Sequence, residues 1–384
     1  MVSMIILLLI FLGSGSFLWL SVFGYILVLS VINRFRRPLT VRDISVCPEI
    51  AVVIPSLDEE DMILAKLADL RRTDYPHDRI TIVVVDGGSS DRTTSLIRKE
   101  IGRGEPVQLI SVNESIGRSN QIIHALGLLR QDIVVVTDVD SVLEPSCIRE
   151  LVKMLEQDSR TAIIGATVKP NSALLEERIH WWILNYLWWL EGEVLSSAGV
   201  SGVCYACRRE VVLKLAREAR ARNIRLPFAT SAGGYRVRIC LRAQVTELRV
   251  PQSPRELLQF RRRRGAAYLA ELLSSENGRV SVSWRLARFM RLWHFRVMPK
   301  TGAVLMISSL VLLCTPFWSW PLLASALFII SALVVLFVSS ASARDEYRVW
   351  KLIPASVRLL LLTFISMLTL NTRPQVRGLS GGGS

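Results

Sequence analysis

Two carboxylates one residue apart, Asp138 and Asp140, close the apolar run VVVTDVDS at 134–141. A strand that ends in Asp-x-Asp brings two sets of oxygen donors near one point. Oxygen-only ligation suits a hard cation such as Mg2+ or Mn2+, and such a cation bridges a diphosphate. Three other pieces carry matching chemistry. IPSLDEED (54–61) follows an apolar run with Pro55 and then with Asp58 and Glu59. In VVVDGGSSD (83–91), Asp86 can accept a hydrogen bond from a ribose or a base. Its glycines admit close backbone approach, and Ser89, Ser90 or Asp91 can cap the next helix. SIGRSNQ (115–121) sets Gly117 before the cation Arg118, an order suited to phosphate. Asp-x-Asp alone is common in solvated loops. The four pieces together, each at a strand end, describe a nucleotide-diphosphate site with a divalent metal.

The elements that must position them are legible as apolar runs at 50–55, 80–86, 107–112, 132–138 and 161–167. Their lengths predict buried parallel strands, and MILAKLADLRR and DRTTSLIRKEI between them have helical periodicity. Alternating strands and helices predict an α/β domain over 45–255 with right-handed crossovers. Ligands of such sheets bind at the carboxyl ends of the strands, where the acids fall.

The 384 residues are 51% hydrophobic, with a mean hydropathy of +0.36. The apolar excess lies at both ends, which predicts a multi-pass protein of the cell membrane. Residues 4–32 exceed the roughly 20 needed to cross, and they lack the basic start and cleavage site of a removed signal peptide. Taken as the span 1–33, they precede Arg34, Arg36, Arg37 and Arg42, so the positive-inside rule puts the N-terminus outside and the domain in the cytoplasm. Trp181, Trp182, Trp188 and Trp189 recur at two-turn spacing and predict a helix facing either the core or the membrane interface. Residues 256–300 are basic with interleaved aromatics, and Arg285, Arg288 and Arg291 predict an interfacial helix that meets anionic headgroups. Apolar spans follow at once, which argues against nucleic acid as the partner of the +14 net charge. Residues 301–371 predict a membrane hairpin hinged at PFWSWP, then a further span or interfacial helix, and 372–384 reads as a flexible tail. Three or four spans are too few for a polymer-exporting channel. Cys204-x-x-Cys207 fits a buried strand or turn better than a zinc site.

IPSLDEE, VVVDGGSSD, GRSN and VVVTDVDS resemble the nucleotide-sugar-binding half of glycosyltransferase family 2, which has the Rossmann-like GT-A fold. SGVCYACRRE (201–210) resembles that family's acceptor-side strand, and RELLQFRRRRG (255–265) its Gln-x-x-Arg-Trp segment in membrane-embedded members. The resemblance covers about 49–265. It implies an inverting transfer from a nucleoside-diphosphate sugar, GDP-mannose ahead of UDP-sugars, to a lipid-linked glycan. It assigns Pro55, Asp58, Glu59, Asp86, Gly117, Arg118, Asp138, Gln259, Arg262 and Arg263 to the donor or its diphosphate. Asp138 and Asp140 become the Mn2+ or Mg2+ site, with Asp140 the direct ligand. Two departures are visible: Asp58 stands where the family has Asn, and Arg263 where it has Trp.

A third departure concerns the general base. The resemblance implies an Asp between the SGVCYACRRE strand and a helix reading RVRICLRA (236–243), yet 219–246 contains no Asp or Glu. The register gives Ala232, Gly233 or Gly234. Three readings stand: an inactivated chain with Ala replacing Asp at 232, a polyprenyl phosphate acceptor that needs no base, or a non-catalytic membrane protein that binds nucleotide sugar or anionic lipid.

Overall fold

The computed structural model describes residues 2–36, 47–112, 116–197, 199–220, 226–274 and 282–324, with 358 and 362. The first apolar segment forms α1 (Val2–Trp19) and α2 (Tyr25–Phe35), joined through a π-helical turn at Leu20–Gly24. The central domain alternates as the apolar runs predict: β1 (Ile50–Ser56), α3 (Ile63–Leu70), β2 (Ile80–Asp86), α4 (Thr93–Gly102), β3 (Val107–Ser111), α5 (Arg118–Leu128) and β4 (Ile133–Thr137). There follow β5 (Ser141–Leu143), α6 (Cys147–Glu156), β6 (Thr161–Pro170), α7 (Leu175–Val194), β7 (Cys204–Arg208), α8 (Arg209–Arg220), α9 (Leu226–Ala232) and β8 (Arg236–Glu247). The basic segment makes α10 (Pro254–Ser274) and α11 (Val282–Arg296), and α12 (Met298–Leu313) completes the described helices.

One eight-stranded sheet runs β3-β2-β1-β4-β7-β6-β8-β5. The first four strands are parallel, and β7 lies antiparallel between β4 and β6. The run at 161–167 therefore has the expected direction but is separated from the parallel group by β7. Every residue of β1 is buried, as helices covering both sheet faces require. Pro55 is tolerated there because β1 pairs with β4 only over Ile50–Val53, so its missing N–H falls beyond that ladder.

The helix expected over RVRICLRA is instead the first two-thirds of β8. Val237, Arg238, Ile239 and Cys240 are consecutively buried, which a strand covered on both faces allows and a surface helix does not. Arg238 is accommodated by an ion pair with Glu193 of α7.

The four tryptophans divide. Trp181 and Trp188 meet edge-on at 6.3 Å inside the main core, while Trp189 is partly buried beside Leu29 of α2 and Leu190. The core-facing reading of α7 holds for Trp181 and Trp188, while Trp182 and Trp189 are half-buried. Arg291 of α11 does not point to headgroups. It is buried against Glu191 at 2.7 Å. Among the described residues, Val2–Trp19 and Arg288–Leu313 are long and apolar enough to cross a membrane, and α1 packs along α12. The second half of the expected hairpin and nearly all of 352–370 lie outside the described residues.

Gly192 marks the tightest seam between α7 and the sheet. A Cβ there would stand 3.0 Å from Arg238 Cα and 3.3 Å from Val237 O. Gly192→Ala is expected to destabilise by about 1–3 kcal/mol as an overpacked site. Gly102→Ala, with open space around it, is expected to be neutral. Melting temperatures of the two variants in detergent make the comparison.

Candidate functional site

The acids fall at the carboxyl ends of β1, β2 and β4, but most are already engaged. Asp58 takes φ +53°, a region Asp and Asn tolerate better than other side chains. Its Oδ1 accepts from Ser90 N at 2.7 Å and Ser90 Oγ at 3.1 Å, and its own N–H donates to Ser89 Oγ at 2.9 Å. Asp58 thus stitches the loop after β1 to the loop after β2, a task the family's Asn can share. Glu60 N donates to Asp91 Oδ2 and Thr93 N to Asp91 Oδ1, so of the three candidates Asp91 binds the first turn of α4 from just outside it, and the N-cap itself is Arg92.

Asp86 is buried, and its carboxylate accepts from Gly88 N at 3.1 Å and from the Ser89 N–H and hydroxyl. Gly87 lets Gln121 approach: a Cβ at 87 would collide with Gln121 Nε2, which donates to Ser56 O at 3.1 Å. Gly117 opens α5, and Arg118 follows it. The cation placed for phosphate is paired with Asp138 instead: Nε donates to Oδ1 at 2.7 Å, and Nη2 reaches the Gly202 carbonyl. Desolvation raises the Asp138 carboxyl above its usual range, and Arg118 opposes that shift.

Asp140 is different. Its backbone carbonyl accepts from Leu248 N at 2.9 Å, but its carboxylate accepts no hydrogen bond among the described residues. The pairing of β5 with β8, Ser141 opposite Glu247, brings an acid beside it that sequence reasoning missed. Glu247 is 4% exposed. Its Oε1 accepts from Arg264 Nη2 at 3.1 Å, and its Oε2 is buried without a partner. Burial, then the charges of Asp140 and Asp138, push its pKa up to about 7 against the pull of Arg264. Glu59 is paired with Arg249 at 2.7 Å, and burial raises its carboxyl too. Glu59, Asp138, Asp140 and Glu247 face Arg118, Arg249 and Arg264.

The oxygen-only donors and the orphaned Glu247 Oε2 fit a divalent cation. Among the described residues no three His, Cys, Asp or Glu side chains already converge as a complete cage. Mg2+ chemistry does not demand one, since one or two carboxylates plus substrate phosphates are its usual set.

On α10, Gln259 and Arg263 are exposed, and Arg262 buries an unpartnered Nε. It is their neighbour Arg264 that touches the acid cluster, while Arg261 pairs with Glu177 at 3.3 Å. Ala232 ends α9 and packs against Leu272 with Tyr268, Leu292 and Phe295. It precedes a strand, not a helix. The residues before α9, 221–225, lie outside the described residues, and the sequence has no acid there. Cys204 and Cys207 are buried in β7.

Comparison with known proteins bears on these assignments. Residues 51–215 match the family described as Glycosyl transferase family 2. The probable glycosyltransferase YdaM of Bacillus subtilis is 27% identical over 203 residues, 50% of this chain and 48% of that protein. Dodecaprenyl-phosphate galacturonate synthase of Rhizobium johnstonii is 26% identical over 142 residues, 36% of this chain and 42% of its own. An undecaprenyl-phosphate 4-deoxy-4-formamido-L-arabinose transferase of Edwardsiella ictaluri is 33% identical over 113 residues, 28% and 34% of the two chains. The chain thus spans less than half the length of these curated relatives. A mannosyltransferase from Pyrobaculum calidifontis, solved with GDP-Man and Mn2+, superposes with a TM-score of 0.65 over 93% of this chain and 98% of its own, at 20% identity. The shared architecture is the GT-A fold.

Glu247 gives a pH test. An acid whose folded pKa is raised stabilises the fold while protonated. That contribution is complete below about 4.5 and lost as pH rises through about 7. Without metal, Glu247→Gln is expected to gain melting temperature relative to the unaltered chain as pH goes from 5 to 8. Thermal unfolding in chelator-containing detergent buffer at each pH reads the difference.

Proposed function

We propose, from the match of residues 51–215 to the glycosyl transferase family 2 model, that the chain transfers a sugar from a nucleoside-diphosphate sugar to a polyprenyl phosphate at the cytoplasmic membrane face. GDP-mannose is the favoured donor and UDP-sugars the second choice. The observation that carries the reading is where the carboxylates are. They crowd the strand ends that would receive the donor, and none occurs across 219–246, where the acceptor's base is expected.

The chemistry follows from that distribution. An acceptor oxygen attacks C1 of the sugar from the face opposite the diphosphate, and the C1–O bond to the leaving diphosphate breaks. A hydroxyl must lose its proton, and a positioned base is worth about 10²–10⁴-fold there. A phosphate monoester oxygen carries charge at neutral pH, since its second pKa is about 6. It needs no base, and no proton has to be placed. A divalent cation held at Asp138 or Asp140 would neutralise the charge that develops on the leaving diphosphate. Asp86 fixes its own loop through three hydrogen bonds and so presents a rigid edge to the nucleoside.

Four facts support this over the other readings. Relatives in two organisms are named for polyprenyl-phosphate acceptors, and the Pyrobaculum neighbour holds GDP-Man and Mn2+. Ala232 packs on apolar side chains, so a carboxylate there would meet Leu272 and its neighbours. The exposed apolar faces of α1 and α12 supply a lipid contact. The reading places the N-terminus outside and the domain in the cytoplasm.

The test uses purified chain, labelled GDP-mannose or UDP-sugar, Mn2+, and either undecaprenyl phosphate or an undecaprenyl-diphosphate-linked sugar. Transfer to the phosphate is expected, with a loss of at least about 100-fold in Asp140→Asn and no gain in Ala232→Asp. Equal use of the hydroxyl acceptor, or a rise of 100-fold on restoring Asp at 232, would sink the reading in favour of an inactivated hydroxyl-using enzyme.

A further inference from the structure

Helix α3 sends two side chains of opposite charge under the turn that carries Asp138 and Asp140. Lys66 and Asp69 are both buried, and Nζ lies 3.3 Å from Oδ2. Each also grips β5. Lys66 Nζ donates to Ser141 O at 2.9 Å and to Ser141 Oγ at 3.0 Å. Asp69 Oδ2 accepts from Leu143 N at 3.0 Å. Ser141 and Leu143 are the two ends of a three-residue strand at the edge of the sheet, and its strand partner is β8. Residues two apart in a strand turn their main-chain groups to the same side. Side chains of α3 thus supply the donor and the acceptor that a further strand would supply.

The grip passes on to the turn. Ser141 Oγ donates to Asp138 O at 2.7 Å and lies 2.9 Å from Thr137 Oγ1. An ammonium can only donate, so Lys66 takes a lone pair of that hydroxyl and leaves its one proton for Asp138 O. A charged donor at the head of such a chain strengthens the bonds behind it. Asp138 N donates to Val203 O, and Leu248 N donates to Asp140 O, each at 2.9 Å. The main chain from Asp138 to Ser141 is therefore held from the β7 side, from β8 and from α3. Of these three holds, the one from α3 carries a charge.

Stability does not account for the pair. Exchange of a buried ion pair for hydrophobic side chains of similar volume is often neutral or stabilising. Apolar neighbours are at hand, since Ile63, Leu67 and Leu70 of the same helix lie in the main core. We propose that Lys66 is a positioning residue for the transfer reaction. Acting through Ser141, with Asp69 to balance its charge, it fixes the Asp138–Ser141 turn in the geometry that receives the donor. It touches neither donor nor acceptor. The proposal rests on the transferase reading of the chain and adds to it a residue outside the site.

The experiment uses the full chain in detergent with the double variant Lys66→Met/Asp69→Asn. It keeps both volumes, removes both charges and leaves an amide oxygen for Leu143 N. Three quantities are read together: melting temperature, kcat for transfer from labelled GDP-mannose or UDP-sugar to undecaprenyl phosphate, and KM for that acceptor. Misplacement of a reacting group by about 1 Å can cost about 10²-fold, so the double variant is expected to lose at least about tenfold in kcat. It is expected to melt as the unaltered chain does and to keep its acceptor KM. Ser141→Ala cuts the relay and spares the carbonyl that Lys66 also grips. It is expected to lower kcat as well, again with the acceptor KM unchanged. Full kcat in either variant overturns the positioning role and leaves the transferase reading intact. A double variant that does not fold, or whose kcat falls only in step with its melting temperature and returns on cooling, also overturns it, because the pair is then architectural. If the unaltered chain transfers sugar from neither donor, the transferase reading fails, and the role given to Lys66 fails with it.

Discussion

Carboxylates crowded at one edge of a sheet repel one another, and that repulsion is the constraint around which this edge of the domain is built. The counter-charges come from separate elements: Arg118 from α5, Arg249 from the turn after β8, Arg264 from α10. Beneath the Asp138–Asp140 turn lies a fourth cation. Lys66 of α3 is 1% exposed, and its ammonium donates to Asp69 Oδ2 at 3.3 Å, Ser141 O at 2.9 Å and Ser141 Oγ at 3.0 Å. All three of its donors are used. Ser141 Oγ donates in turn to Asp138 O at 2.7 Å and shares a 2.9 Å hydrogen bond with Thr137 Oγ1. Burial lowers the Lys66 pKa, and Asp69 opposes that shift. Removing one member of such a buried set typically costs about 3–5 kcal/mol. The backbone of the turn is thus anchored at both of its ends.

The same economy of polar contacts joins the domain to its apolar helices. Packing of α2 on α7 through Leu29, Leu190 and Val194 is non-directional and would tolerate sliding. Direction comes from Glu191, whose Oε1 accepts from Tyr25 Oη of α2 at 3.0 Å and from Arg291 Nη2 of α11 at 2.7 Å. Trp293 Nε1 adds a 3.0 Å bond to Ser21 Oγ, and Arg36 donates to Glu193 O at 2.8 Å. One face of α7 meets the sheet at Gly192, and the polar contacts of Glu191 lie one residue away. A shift of either apolar helix would have to break charged, buried bonds.

Legibility in the sequence tracked how local each cause was. β1 to β4 were visible because strands covered on both faces must be continuously apolar, and the acids at their ends followed from chain order. β8 was not visible. The resemblance implied a helix there, and Glu193 and Asp158 on other elements are what accommodate Arg238 and Arg236 inside a sheet. Glu247 carried no local signal either. Its importance arises from pairing with β5, which is three residues long and was submerged in the loop after the Asp-x-Asp turn. Likewise Arg118 reads as a phosphate ligand from Gly-Arg order alone, and only the fold reveals that Asp138 already holds it. Charge pairs between distant elements are the class of fact that spacing cannot supply.

The net charge of +14 looks different once pairs are removed. Within the domain, arginines such as 72, 118, 236 and 238 are neutralised by acids at close range. Arg255, Arg263, Arg285, Arg296 and Lys300 remain exposed on α10, α11 and the start of α12. They lie in the same segment as exposed Val282, Leu286 and Phe289. A basic stretch with an apolar face is what the plane of anionic headgroups selects. A polyprenyl phosphate keeps its reactive group in that plane, whereas the nucleotide sugar comes from water. Under the proposed function the chain therefore needs no passage through the bilayer. It needs one edge where a cationic surface meets a carboxylate turn, and α10 joins them: Arg263 is exposed, while the adjacent Arg264 pairs with Glu247.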